Sequence, residues 1–162
     1  MKKFIVQAVL LLFVIGGSLI FFSPTGRTIE LPFLPSPTVR ATVEINGQKL
    51  KVEIAETQTK RSKGLGGRES LATDEGMLFI FPKADKYPFW MKGLNFSLDF
   101  IWIKDDKVVD ILADVPLPAP GQTDASLPIY QSNVEVDKVL EVNAGTAQRL
   151  GIKIGDTIKI IR

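Results

Sequence analysis

Asp99 follows Leu98 and shares an alternating face with Ile101 and Ile103 in an otherwise apolar run. A carboxylate among apolar side chains must be hydrogen-bonded, ion-paired or shifted in pKa. Asp99 is therefore either a structural acceptor for loop N–H groups, a partner of Arg68 or Lys92, or a group that meets a ligand. Glu141, between Leu140 and Val142, either faces solvent from a strand or converges with Asp99 on one pocket. Two carboxyls about 5–9 Å apart would be the apparatus of glycoside hydrolysis. Arg68, just after Gly66-Gly67, suits an anion contact or a salt bridge. Tyr87, Phe89, Trp90 and Trp102 concentrate aromatic surface. Phe89 and Trp102 suit the core, whereas Trp90 with Lys92 is the better surface pair for a sugar or another flat polar ligand.

The missing residue types narrow the chemistry. With no Cys and no His, thiol nucleophiles, disulfides, Ser-His triads and the commonest transition-metal ligands are excluded. Asp74-Glu75 and Asp105-Asp106 are too short for a calcium loop, so no metal is expected. Gly64-x-Gly66-Gly67 follows a helical pattern instead of opening one and lacks a Walker Lys-Ser/Thr, so it does not read as a phosphate loop. No cofactor is called for. Setting aside Lys2, Lys3, Arg27 and Glu30 leaves 17 of the 20 basic and 17 of the 18 acidic residues in 39–162. That segment is formally neutral and has no basic run, which argues against a nucleic-acid partner.

These residues need elements to position them. Val39, Ala41, Val43 and Ile45 alternate with polar residues up to Asn46-Gly47, and Leu50, Val52 and Ile54 alternate after it. This is a hairpin in which Val43 faces Leu50, Ala41 faces Val52 and Val39 faces Ile54. Thr57 caps a short helix over TQTKRSKG that ends at the glycines. Met77 to Phe81 reads as a buried strand stopped by Pro82, and Phe89-Trp90-Met91 as another. Leu98 to Lys104 and Lys107 to Ala113 form a second hairpin about Asp105-Asp106, with Ile103 opposite Val108 and Trp102 opposite Val109. Apolar residues on both of its faces place it in the middle of the structure. Residues 114–128, with four prolines, read as a long surface loop. Val139 to Val142 is a strand, Asn143 caps a short helix over AGTAQRL, and Ile152, Ile154, Ile158 and Ile160 form a final alternating strand about Gly155-Asp156. The sum is a mainly β (α+β) domain, a sheet or barrel-like structure of about nine short strands and two short helices, with no internal repeat.

Upstream, Phe4 to Phe22 is 19 residues without a charge, enough as a helix to span the roughly 30 Å hydrocarbon layer. Lys2 and Lys3 precede it, which places the N-terminus inside and the domain outside. A cleaved signal peptide is the alternative, although Phe21-Phe22-Ser23-Pro24 has no small-residue cleavage pattern. Residues 23–38, with Pro24, Pro32, Pro35 and Pro37, form a Pro-rich linker. The expected organisation is a signal-anchor at 1–22, a linker at 23–38 and an extracytoplasmic domain at 39–162.

In order and spacing, VEIAETQTKRSKGLGGRESL (52–71), DEGMLFIFP (74–82), FWMKGLNFSLDFIWI (89–103) and VLEVNAGTAQRLGIKIGDTI (139–158) resemble the bacterial and archaeal family catalogued as domain of unknown function 192. The resemblance implies a compact β-rich domain and no particular reaction. Where members read roughly MKNTLIPLDI, this chain keeps Asp99 but has Gly93, Leu94 and Ser97 in place of Asn, Thr and Pro. The leading expectation is a non-catalytic module that binds an envelope carbohydrate, peptide or protein partner through Arg68, Trp90, Lys92 and Asp99, and the 114–128 loop. A carboxylate-dependent hydrolase of envelope polymer using Asp99 and Glu141, and a structural or assembly factor of the envelope, are the alternatives.

Overall fold

The computed structural model describes residues 38–162 throughout and, of residues 1–37, the backbone of three short strands, β1 (Phe13–Ile15), β2 (Ser18–Phe22) and β3 (Thr28–Ile29). These pair antiparallel in that order. Among the described residues no helix is long and apolar enough to cross a membrane. Much of the expected Phe4 to Phe22 helix lies outside the described residues, and the parts inside it are the strands β1 and β2. Nearly all of the 23–38 linker also lies outside them. Residues 1–38 and 39–162 are separate units.

Asn46 and Gly47 both adopt positive φ, 51° and 73°, as a hairpin turn matched to strand twist requires. They join β4 (Arg40–Ile45) to β5 (Gln48–Ala55) in the expected register, with Val43 opposite Leu50 and Ala41 opposite Val52. Thr57 Oγ1 accepts the N–H of Lys60 and caps α1 (Gln58–Lys63), which carries the chain over to β6 (Glu75–Asp85), parallel to β5. β6 does not stop at Pro82. Its pairing with β9 (Val136–Asn143) is interrupted between Ile80 and Asp85, so the imide nitrogen falls where no ladder bond is required. β7 (Leu98–Lys104) and β8 (Lys107–Val115) turn at Asp105-Asp106 with Ile103 opposite Val108. Trp102, however, faces Asp110 instead of Val109, because a bulge inserts one residue there. Phe89-Trp90-Met91 is not a strand: Phe89 makes a single bridge to Tyr130 within a loop.

The seven strands run β10-β4-β5-β6-β9-β7-β8, where β10 is Ile158–Ile161. At the start of β8 the two sheet edges meet. Val108 N–H donates to Asp156 O at 2.9 Å, Gly155 N–H to Val108 O at 2.8 Å, and Ile158 N–H to Asp106 O at 2.8 Å. The sheet is a half-barrel, joined at one end. Ile152 and Ile154 precede the last strand as coil, Ile152 buried and Ile154 exposed. Residues 116–135 contain no strand and only a short 3-10 turn, Asp124–Ser126.

Strand alternation divides the apolar residues between two cores. Val43, Leu50, Leu78, Ile101, Leu140 and Val142 fill the half-barrel. Met77, Phe79, Leu98, Phe100, Trp102 and Val139 lie on the outer face, covered by Leu65, Phe89 and Met91 from the loops. β7 is buried on both faces up to Ile103, at about 1.5–3 kcal/mol for each large apolar side chain removed from water.

Asp99 faces the half-barrel interior and is 0% exposed. Its Oδ1 accepts the N–H of Asp114 at 2.9 Å and of Gly145 at 3.1 Å, and its Oδ2 accepts that of Ala147 at 2.8 Å. The β7–β8 register shifts between Leu98 and Phe100, and Asp114, in that irregularity, has φ 55°. One carboxylate therefore satisfies the distorted strand β8 and caps α2 (Thr146–Arg149). Asn143 does not provide that cap. The helix has Gly145 at its N-cap without a side-chain bond, and Asn143 Nδ2 donates to Leu71 O and Ala72 O. Replacing Asp99 by Asn puts an amide N–H₂ against a backbone donor and removes a charge-assisted acceptor. Urea unfolding should show a loss of about 3 kcal/mol; unchanged stability would contradict this role.

Candidate functional site

Glu141 pairs across the sheet with Met77 on β6 and with Phe100 on β7, so it lies on the outer face. Asp99 pairs with Val142 and points into the half-barrel. With a side-chain period of two, the carboxyls occupy opposite faces, so of the two readings of Glu141 the shared pocket with Asp99 is not formed, and the solvent-facing one gives way to a largely buried side chain. Asp99 is a structural acceptor with no access to a ligand. The sequence allowed this role beside the functional one, and the three N–H bonds decide it.

Glu141 is 5% exposed, and no group among the described residues hydrogen-bonds its carboxyl. Burial pushes its pKa up to about 8, partly opposed by the nearby Arg68 guanidinium. The carboxyl is at the floor of a cleft of about 390 Å³. One wall is aromatic. The Phe81 and Tyr87 rings stack at 3.5 Å and 9°, and Phe79 meets Phe89 edge-on at 5.0 Å. Trp90 stands at the rim, 44% exposed. The glycine-rich turn 64–67 also lines the cleft, with Gly64 against the Phe79 ring, a placement that sequence reasoning did not reach.

Glycine is needed in that turn for close approach. A Cβ at Gly66 would come 3.1 Å from Lys63 O and 3.2 Å from Lys92 O, tight against two backbone carbonyls. Gly67 N–H donates to Gly93 O at 2.8 Å, and Asn95 Nδ2 donates to Arg68 O at 2.8 Å. These bonds join the turn to the 87–95 loop, and both segments line the cleft. Gly93 has φ 65°, a left-handed conformation that Asn also tolerates, so the departure from the usual Asn keeps the backbone path. It leaves Gly93 and Leu94 in the lining, without the polar side chains of the Asn-Thr pair.

Of the residues expected to form the site, Trp90, Lys92 and Glu141 line this cleft. Lys92 reaches Asp124 at 2.6 Å, both side chains largely exposed, an ion pair of little energetic weight. Arg68 is directed to Glu53 by two hydrogen bonds of 2.8 and 2.7 Å, which hold the Glu53 carboxyl below its ordinary pKa. It lines a separate cleft of about 400 Å³ with Arg40, Lys51 and Arg162 and acts on Glu141 only through its charge. Phe89 serves both core and cleft; Trp102 is core.

The raised pKa sets a pH dependence. Below the ordinary value of 4.5 the Glu141 carboxyl is protonated whether the chain is folded or not. Between 4.5 and about 8 the folded chain retains a proton that the unfolded chain releases, so stability falls as pH rises, by about 1.4 kcal/mol per pH unit at most. Above the folded pKa the loss levels off. Glu141→Gln should flatten this slope in urea unfolding across that window and be the more stable protein at its alkaline end. An unchanged slope would contradict a buried neutral carboxyl.

Comparison with known proteins places this architecture. Residues 41–160 match the family DUF192, described as an uncharacterized ACR. A comparison with curated proteins finds no match. The chain is similar to the crystal structure of a "putative transcription regulator" from Sinorhizobium meliloti 1021, at 30% identity and a TM-score of 0.69, over 78% of this chain and 97% of that one. It is also similar to a protein of unknown function from Novosphingobium aromaticivorans DSM 12444, at 27% identity and a TM-score of 0.64, over 98% of each chain. With the family match spanning most of its length, the chain belongs to the DUF192 family.

Proposed function

We propose that the protein is a non-catalytic binding module, held at a membrane by Phe4–Phe22, whose domain takes up an envelope carbohydrate, a peptide or an exposed group of a protein partner. The observation that carries the binding reading is Glu141: a carboxyl 5% exposed, without a hydrogen-bond partner among the described residues, facing a cleft. A carboxyl that the fold leaves without a bond of its own and open to a cleft is a polar group that a ligand can engage. Aromatic walls around a few polar groups are the usual make-up of a ligand cleft. Catalysis by a carboxylate pair has no support, since Glu141 and Asp99 face opposite sides of the sheet. Membrane attachment rests on the uncharged stretch and the lysines before it.

Two measurements test this reading. The full-length protein in detergent, titrated with envelope oligosaccharide and peptide fragments, should bind a fragment with a change in Trp90 fluorescence, and Trp90→Ala should weaken that binding about tenfold. Because Trp90 is half exposed, the variant should fold normally; equal affinity in the two proteins would contradict the cleft as the site. Protease added outside wall-stripped cells should remove the domain. Protection until the cells are lysed would contradict an extracytoplasmic domain.

A further inference from the structure

We propose that the group seated in the Glu141 cleft is a carboxylate borne on a flat, largely apolar body. This rests on the cleft being a binding site and goes further by assigning the charge and shape of what it takes.

Charge is the first argument. The titratable groups that share the cleft lining with Glu141 are Arg61 and Lys63 on α1 and Lys92 and Tyr87 on the 87–95 loop, while Arg68, bound to Glu53 of β5 behind the glycine turn, is the cation whose charge acts on the carboxyl. Glu141 is the only acid lining the cleft, against three cations, of which Lys92 is paired with Asp124. Lys63 has no ion pair among the described residues. Arg61 is fixed by donating to Glu56 O at 2.6 Å and Ile80 O at 3.0 Å, with its guanidinium 5.2 Å from the Phe81 ring centre. An aromatic cleft with one carboxylate would otherwise suit a cation, but these cations repel one.

Hydrogen-bond chemistry is the second argument. Tyr87 Oη already donates to Lys83 O at 2.8 Å. In its neutral form the Glu141 carboxyl is a donor without an acceptor among the described residues. A carboxylic acid kept neutral in an apolar site donates strongly to an anionic oxygen. A ligand carboxylate would accept that O–H while the rim cations supply its counter-charge.

Shape is the third. The Phe81–Tyr87 stack and the Trp90 face are planar surfaces, Gly93 and Leu94 add no polar side chain, and about 390 Å³ is at the small end of ligand cavities.

The test uses full-length protein in detergent and follows the indole N–H resonance of Trp90, assigned through Trp90→Phe. Benzoate, benzamide and benzamidine share a ring and differ in charge; glucuronate and glucose repeat the comparison on a sugar body. At about pH 6 benzoate should bind at least about tenfold more tightly than benzamide, benzamidine or glucuronate, and about pH 9 should weaken it about tenfold as the protonated fraction of Glu141 falls. Glu141→Gln, which keeps a donor, should bind benzoate without that pH dependence, and Glu141→Leu should lose it. Benzamide or benzamidine binding as well as benzoate would overturn the carboxylate assignment and leave the cleft a binding site. Tighter binding of glucuronate would overturn the flat apolar body. If no probe moves Trp90 at about 10 mM, where even weak fragments register, the binding reading falls with the proposal.

Discussion

Three backbone N–H groups converge on the Asp99 carboxylate inside the half-barrel, and much of the domain's geometry depends on them. The donors come from Asp114 in β8, Gly145 at the N-cap of α2 and Ala147 within α2. Each lies where regular pairing fails, in a strand irregularity or at a helix start, and the Ala147 N–H would otherwise be a buried orphan. By satisfying them, Asp99 allows β8 to deviate from ideal pairing and lets β9 end in a tight left-handed turn at Gly145. The register of β9 against β7 that accompanies this arrangement is the one that turns Glu141 outward.

The two carboxyls represent opposite outcomes of one constraint. Both are largely buried and both sit in apolar runs. Asp99 meets three donors and serves architecture. Glu141 meets none among the described residues, its pKa rises to about 8, and it is left beneath a cleft made by loops. A fold concerned only with stability would fill that position with an apolar side chain of similar size. The cost of keeping a carboxyl there is what supports the proposed binding role, and the aromatic stack, glycine turn and cations line the same cleft.

Legibility in the sequence followed the range of the interactions. The β4–β5 hairpin was readable because Asn46-Gly47 and the alternation around it agree within fifteen residues, and the Thr57 cap because it acts three residues away. The β7–β8 turn was readable at Ile103 and Val108, but not the bulge at Trp102, which no local signal marks. Asn143 resembles a cap by residue type, yet the capping oxygen comes from Asp99 on another strand. Phe89–Met91 is apolar enough for a strand, but its ends are taken up in loop packing and its bridge partner, Tyr130, is far along the chain. The cleft was legible only as separate residues. Trp90, Lys92 and Glu141 could be named, whereas the glycine turn and the Phe81–Tyr87 stack join them only through tertiary contacts. Whether Glu141 faces Asp99 depends on strand register, which the sequence of β9 alone does not contain.

A neutral Glu141 carboxyl in the lining of the cleft is tested most directly by its own titration. With glutamate side-chain carboxyls labelled with carbon-13 and the Glu141 signal assigned by its loss in Glu141→Gln, the resonance should titrate near pH 8. A titration at the ordinary value of 4.5 would show an ionised, hydrated group and contradict the account.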